Sequence, residues 1–138
     1  LLMKYLLFVP LVFIFLLSTG VSAQTQDFLD NQLKNSKKSE AMFKRTLSHV
    51  GDSVFVARVE DLNGNLKIEG AYVMEGGKIV ENGEFTFYHS NGKIESKGMY
   101  SMGVKVGDWK RYTADGNPRA DRYYNPESVE LIRACMNG

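Results

Sequence analysis

The chain has 138 residues, with 17 Lys and Arg against 16 Asp and Glu and a formal net charge of +1. That length holds one small domain, and the near-neutral balance lacks the clustered basic charge on which nucleic-acid binding depends. The single cysteine, Cys135, excludes an internal disulfide framework and reads as free, reactive, or paired to another chain.

Residues 1–23 have the layout of a secretory signal peptide. Lys4 supplies the positive start, and Tyr5 to Leu17 is an apolar run broken only by Pro10. Val21-Ser22-Ala23 then places small residues at the −3 and −1 positions of a cleavage site. The run is shorter than the roughly 20 residues of a membrane span and ends in Ser18-Thr19-Gly20. Cleavage near Ala23 predicts an exported protein, periplasmic or secreted, with 115 residues (138 − 23) and a formal charge of 0 once Lys4 is removed.

Residues 24–41 read as a linker or short helix, because Phe28, Leu29 and Leu33 give only a weak amphipathic pattern. Met42 to Leu47 reads as a strand that turns at Val50-Gly51-Asp52 into Val54 to Glu60. Residues 42–125 then carry an internal repeat. Gly83, Phe85, Tyr88, Asn91-Gly92 and Tyr100 recur 24 residues later as Gly107, Trp109, Tyr112, Asp115-Gly116 and Tyr124. Asn63-Gly64, Gly70 and Tyr72 match Asn91-Gly92, Gly98 and Tyr100 at an offset of 28. The four extra residues fall between Met74 and Asn82 and read as a longer loop. After Pro126, Val129, Ile132 and Met136 fall at helical spacing, so residues 126–138 read as a helix or tail.

Asn-Gly and Asp-Gly dipeptides flanked by alternating apolar residues predict β-hairpins with type I′ turns. Centring the turn on Asn91-Gly92 sets Tyr88 opposite Glu95, Phe87 opposite Ser96 and Phe85 opposite Gly98, where a large ring can cover the bare backbone. The same counting, with Met102-Gly103 as the turn between units, predicts five ion pairs. These are Glu60–Lys67, Arg58–Glu69, Lys110–Asp121, Lys97–Asp108 and Glu95–Lys110, each a modest cross-strand contribution. Alternation also sorts two faces. One bears Phe55, Ala57, Val59, Leu66, Ile68, Gly70, Tyr72, Phe85, Phe87, Ile94, Gly98, Tyr100, Trp109 and Ala120. The other bears the charged residues together with Tyr88 and Tyr112. The fold class is therefore mainly β: an elongated, twisted antiparallel meander of six to eight strands, with a short helix expected at each end. The apolar face needs a cover, from the N-terminal segment, from curvature of the sheet, or from a second molecule.

The unit built on Gly83, Phe85, Tyr88, Asn91-Gly92, Gly98, Tyr100, Gly103, Gly107, Trp109 and Tyr112, repeated at Gly116, resembles the MORN-repeat variant common in bacteria. The resemblance covers about Val54 to Tyr124. It departs at Ala57, where an aromatic is usual, and at Arg122, where glycine is usual; both suit degenerate end repeats. It implies an extended β-meander used for protein contact or self-association in an exported, Bacteroidetes-type protein. Such proteins are often labelled antitoxin components, a role at odds with export. Lipid binding, claimed for some relatives, makes peripheral membrane contact a further implication.

No catalytic, cofactor-binding or metal-binding residues emerge. His49 and His89 lack metal-ligand spacing, one cysteine cannot complete a zinc site, and no nucleophile elbow, phosphate loop or calcium loop occurs. The candidate partner surface is Tyr88, Lys97, Lys110 and Tyr112, aromatics one repeat apart flanked by lysines. The expected function is a non-enzymatic scaffold that binds an unidentified protein or itself. The alternatives are an envelope-glycan binder and an accessory piece of an envelope transport or energy-transduction system.

Overall fold

A computed structural model describes residues 23–136. The signal-peptide segment therefore lies outside the described residues, except Ala23. The described chain is one eight-stranded antiparallel sheet in which each strand pairs with the next in sequence. The strands are β1 (Gln24–Leu29), β2 (Phe43–Gly51), β3 (Val54–Asp61), β4 (Leu66–Glu75), β5 (Lys78–Tyr88), β6 (Ile94–Ser101), β7 (Val104–Tyr112) and β8 (Pro118–Tyr124). A helix, α1 (Pro126–Met136), follows. The expected meander is thus the observed fold.

Residues 24–41 differ from the expected linker or helix. They form β1 and, after a loop, a short 3-10 turn at Lys38–Glu40. Helical spacing was weak there, whereas Gln24 to Leu29 finds an antiparallel partner in Phe43 to Ser48. That pairing sets Asp27 opposite Arg45, whose side chains form an ion pair. The pairing could not be read from the segment alone because its partner lies across an intervening loop.

The hairpin turns also differ from expectation, in the same way in all three units. Gly64, Gly92 and Gly116 have φ of 86°, 81° and 92°, but the residues before them do not adopt positive φ. In the second unit the Gly92 amide donates to the His89 carbonyl at 2.9 Å, and the His89 amide to the Lys93 carbonyl at 2.8 Å. This is a three-residue loop, a type I turn closed by a left-handed glycine, rather than a two-residue type I′ turn. It shifts the register by one next to the turn, so Tyr88 faces Ile94 and Glu60 faces Leu66. A bulge one residue further on restores the expected register, and Phe87 faces Ser96 and Phe85 faces Gly98. The type I′ geometry occurs instead between units, at Met102-Gly103 (φ 47° and 84°) and Gly76-Gly77 (φ 56° and 78°). The four extra residues of the first unit extend the β4–β5 ladder to Glu75 opposite Lys78, rather than forming a longer loop.

The turn-proximal bulge displaces the expected Glu60–Lys67 pair, and a second bulge displaces Lys97–Asp108 and Glu95–Lys110. Met99 faces Val106 as the Met102-Gly103 turn requires, but beyond Gly107 (φ 67°) Lys97 faces Lys110 instead of Asp108. Of the five expected pairs, Arg58–Glu69 (2.7 Å) and Lys110–Asp121 form. Glu60 pairs with Lys44 at 3.2 Å, Lys67 with Asp61 at 3.6 Å, and Lys97 with Glu84 at 3.0 Å.

The same bulges build the core. An added Cβ on Gly70 would lie 2.3 Å from the Phe85 ring, and one on Gly98 would lie 2.4 Å from the Trp109 ring. Each unit's large ring therefore rests on the glycine of the preceding unit. Phe85 faces Gly98 in register, as expected, but its ring covers Gly70. Phe85 and Trp109 are both 2% exposed. Burying each such ring contributes about 1.5–3 kcal/mol. The tyrosines of the repeat fill the intervals, giving an edge-to-face row Tyr72–Phe85–Tyr100–Trp109 with centroid spacings of 5.1, 4.7 and 5.4 Å.

The departures at the two ends follow from this stacking. Ala57 faces Leu47 on β2, so a bulky residue stands where later units have glycine and a small one where they have a ring. Among the described residues no further strand brings a ring over Arg122, so glycine is not required there.

Ile94 and Ala120 belong to the expected apolar face, yet both are exposed, because they sit next to the turn-proximal bulges. Among the described residues no second layer covers the face. Helix α1 packs on the opposite side, against Met99, Ser101, Val106 and Asp108. The apolar side chains are closed off by neighbours on the same sheet and by two cations. Arg45 lies 5.8 Å from the centre of the Tyr72 ring, and Lys105 lies 4.0 Å from that of Trp109.

Candidate functional site

The four residues of the expected partner surface stand on β5, β6 and β7, and most of them are already engaged. The Tyr88 hydroxyl donates to Glu69 at 2.7 Å, and burial followed by this bond pushes its pKa up to about 12. Lys97 pairs with Glu84. Lys110 pairs with Asp121, whose hydrogen bond and charge raise the lysine's pKa. Tyr112 is half-buried, and its carbonyl lies 3.1 Å from His89 Nε2. His89 thus joins the second and third units. Its neighbour Asn91 does the same by donating to the Ala114 carbonyl at 2.7 Å.

A different cluster gathers at the end of the sheet, where Lys105, Arg111, Arg119 and Arg122 line one pocket with Glu95, Ser96, Trp109 and Tyr124. Counting formal charges, four cations against Glu95 leave +3. Its aromatic lining is Trp109 and Tyr124: the Lys105 ammonium lies 4.0 Å from the Trp109 ring centre and 5.8 Å from that of Tyr124, and 5.4 Å from Phe87 outside the pocket. Cation–π attraction holds it there at about 0.5–2 kcal/mol. Arg111 faces Arg119 directly across β7 and β8. Like charges so placed destabilise a strand pair. Lys97 and Lys110 also face each other, but each has its own carboxylate. None of the three arginines has an ion pair among the described residues.

Sequence reasoning missed this cluster. Uniform alternation from a two-residue turn separates Arg119 from Arg122, which are three apart. The register shift between Trp109 and Arg111 brings both into the same pocket. The visible signal was Arg122 itself, the one basic residue at a glycine position of the repeat. No cluster of three or more His, Cys, Asp or Glu positioned for a metal occurs among the described residues. Cys135 is exposed and unbridged.

Fold and surface together define an open, single-sheet repeat module. Residues 81–102 match the family described as MORN repeat variant. The matched segment contains Gly83, Phe85, Tyr88, Asn91-Gly92, Gly98 and Tyr100, the residues that set the bulge, ring, turn and glycine seat of one unit. This segment is thus similar to one MORN-like repeat, and the flanking hairpins continue its geometry. No curated protein and no solved structure gives a significant match.

Proposed function

We propose that the chain is an exported, non-enzymatic scaffold that binds another protein, or a second copy of itself, in the cell envelope. One observation carries the reading: among the described residues the sheet is a single open layer whose outer strands, β1 and β8, each have a neighbour on one side only. An open edge offers unpaired backbone groups to a further strand, and an open face offers a broad contact surface. MORN repeats are in general protein-binding or membrane-binding modules, which supports a scaffold over a catalyst. The basic, apolar and small-residue layout of residues 1–23 supports export.

The test is capture of partners from envelope extracts on immobilised chain beginning at Gln24, alongside a glycan array and sedimentation of the free chain. A discrete protein partner, or reversible self-association, is the expected result. Tyr88→Ala with Tyr112→Ala is expected to weaken capture if the charged face takes part, and Tyr88→Phe separates loss of the ring from loss of the bond to Glu69. Glycan binding with neither protein capture nor self-association would replace the proposal with the envelope-glycan reading.

A further inference from the structure

We infer that the edge of β8 and the basic pocket beside it form a docking site for an acidic, extended peptide segment, which adds to the sheet as a ninth strand. The inference rests on the scaffold reading and specifies its partner.

The repeat itself marks the place. Gly70 seats Phe85 and Gly98 seats Trp109, each ring coming from the following unit. The corresponding seat in the last unit is Arg122, opposite Trp109 on β8, with no following strand among the described residues. The next position in the ladder is open at its backbone, and the residue that would otherwise be glycine is a cation. Arg122 is exposed, as is Arg119, and Arg111 is half-buried.

The charges at this edge call for an anion. Arg111 and Arg119 repel each other across the β7–β8 pair, and neither has a carboxylate among the described residues. At the other facing pair of cations in the described registers, Lys97 opposite Lys110, each lysine has an acid within reach. Guanidinium groups take carboxylates through paired hydrogen bonds. Glu95, the one acid lining the pocket, pairs with none of them and leaves the net charge positive. The pocket volume of about 160 Å³ suits a carboxylate-bearing side chain, with Lys105 already occupying the aromatic lining.

An extended peptide uses both features at once, which sets it apart from a free anion or a lipid headgroup. Its main chain pairs with the β8 edge while every second side chain points to the pocket face. The intervening side chains fall on the other face beside Tyr123, which is 65% exposed. The expected ligand therefore alternates acidic residues with apolar or aromatic ones. Helix α1 does not compete for the pocket, since it sits over β6 and β7 on the opposite face, with Arg133 donating to Ser101.

Fluorescence anisotropy with a labelled Glu-Val repeat peptide tests the site on the chain beginning at Gln24. The acidic peptide is expected to bind in a salt-sensitive manner. The Gln-Val analogue, and the Arg119→Gln, Arg122→Gln double variant, are each expected to bind about tenfold or more weakly. N-methylation of the peptide at alternate residues is expected to abolish binding by blocking strand pairing. Thermal unfolding of the double variant should occur at or slightly above the temperature of the unsubstituted chain, because the Arg111–Arg119 repulsion is relieved, and this separates lost contacts from lost fold. Inorganic phosphate or phosphatidylglycerol vesicles that compete as well as the peptide, with N-methylation harmless, would overturn the strand docking in favour of a general anion site. Absence of peptide binding, with partner capture unaffected by the double variant, would overturn this site while leaving the scaffold reading standing. Absence of both capture and self-association in the unsubstituted chain would overturn the scaffold reading itself.

Discussion

Gly98→Ala probes directly how one repeat unit locks onto the next. A Cβ at position 98 would lie 2.4 Å from Trp109 Cδ2, against an ordinary contact distance that begins at 3.4 Å. The indole ring would have to retreat by about 1.0 Å (3.4 − 2.4). It has little room, being 2% exposed and ringed by Tyr100, Phe87 and Tyr124 at 5.4, 6.0 and 6.2 Å with Lys105 above. Overpacking of this kind costs about 1–3 kcal/mol. Replacing a glycine also removes unfolded-state freedom, which offsets about 0.4–1 kcal/mol. A net loss of about 1–2 kcal/mol is expected. Trp109 is the sole tryptophan, so urea unfolding followed by its emission reports on the perturbed contact itself. Gly51→Ala is the control: its added Cβ would meet only Val54, at 3.8 Å, and a change within about 0.5 kcal/mol is expected. Equal stability of the two variants, with unaltered Trp109 emission in Gly98→Ala, would refute ring-on-glycine packing.

Three further outcomes follow from the same structure. Asp27→Ala removes the carboxylate beside Arg45, a side chain only 9% exposed, and is expected to cost about 1–3 kcal/mol in urea unfolding; Arg45→Met should cost less, because it leaves no buried charge unpaired. The pKa values of Tyr72, Tyr88 and Tyr100 are pushed up to about 12, chiefly by burial, so the folded state holds these protons more tightly than the unfolded state does. Their contribution is complete below the usual tyrosine pKa of 10.0 and lost as pH rises toward 12, so the urea midpoint should fall across that window, and Tyr72→Phe should flatten the fall. Gly70→Ala paired with Phe85→Leu should destabilise less than the sum of the single changes, since the smaller side chain relieves the clash; strict additivity in a double-mutant cycle would count against contact between the two positions.

Much of the fold was legible because glycine, aromatic and turn residues recur at fixed spacing, and alternation along strands assigns most side chains to a face. The helix after Pro126 was legible from its own periodicity. β1 was not, because Gln24 to Leu29 becomes a strand only by pairing with residues beyond a loop. The candidate site was the least legible part. Tyr88, Lys97 and Lys110 stand out by their repeat spacing, but each is tied to an acidic neighbour, at Glu69, Glu84 and Asp121. Lys105, Arg111, Arg119 and Arg122 come together only through register shifts, which a count outward from the turn does not contain.

The sequence by itself determined that this is a repeating antiparallel meander with one apolar and one charged face. Periodicity is a local property, and it survives small errors of register. The tertiary structure decided which ring rests on which glycine, which ions pair, and which cations meet at the β8 edge. Each of these depends on pairing to within one residue, and a single bulge moves a side chain to a new neighbour or to the other face.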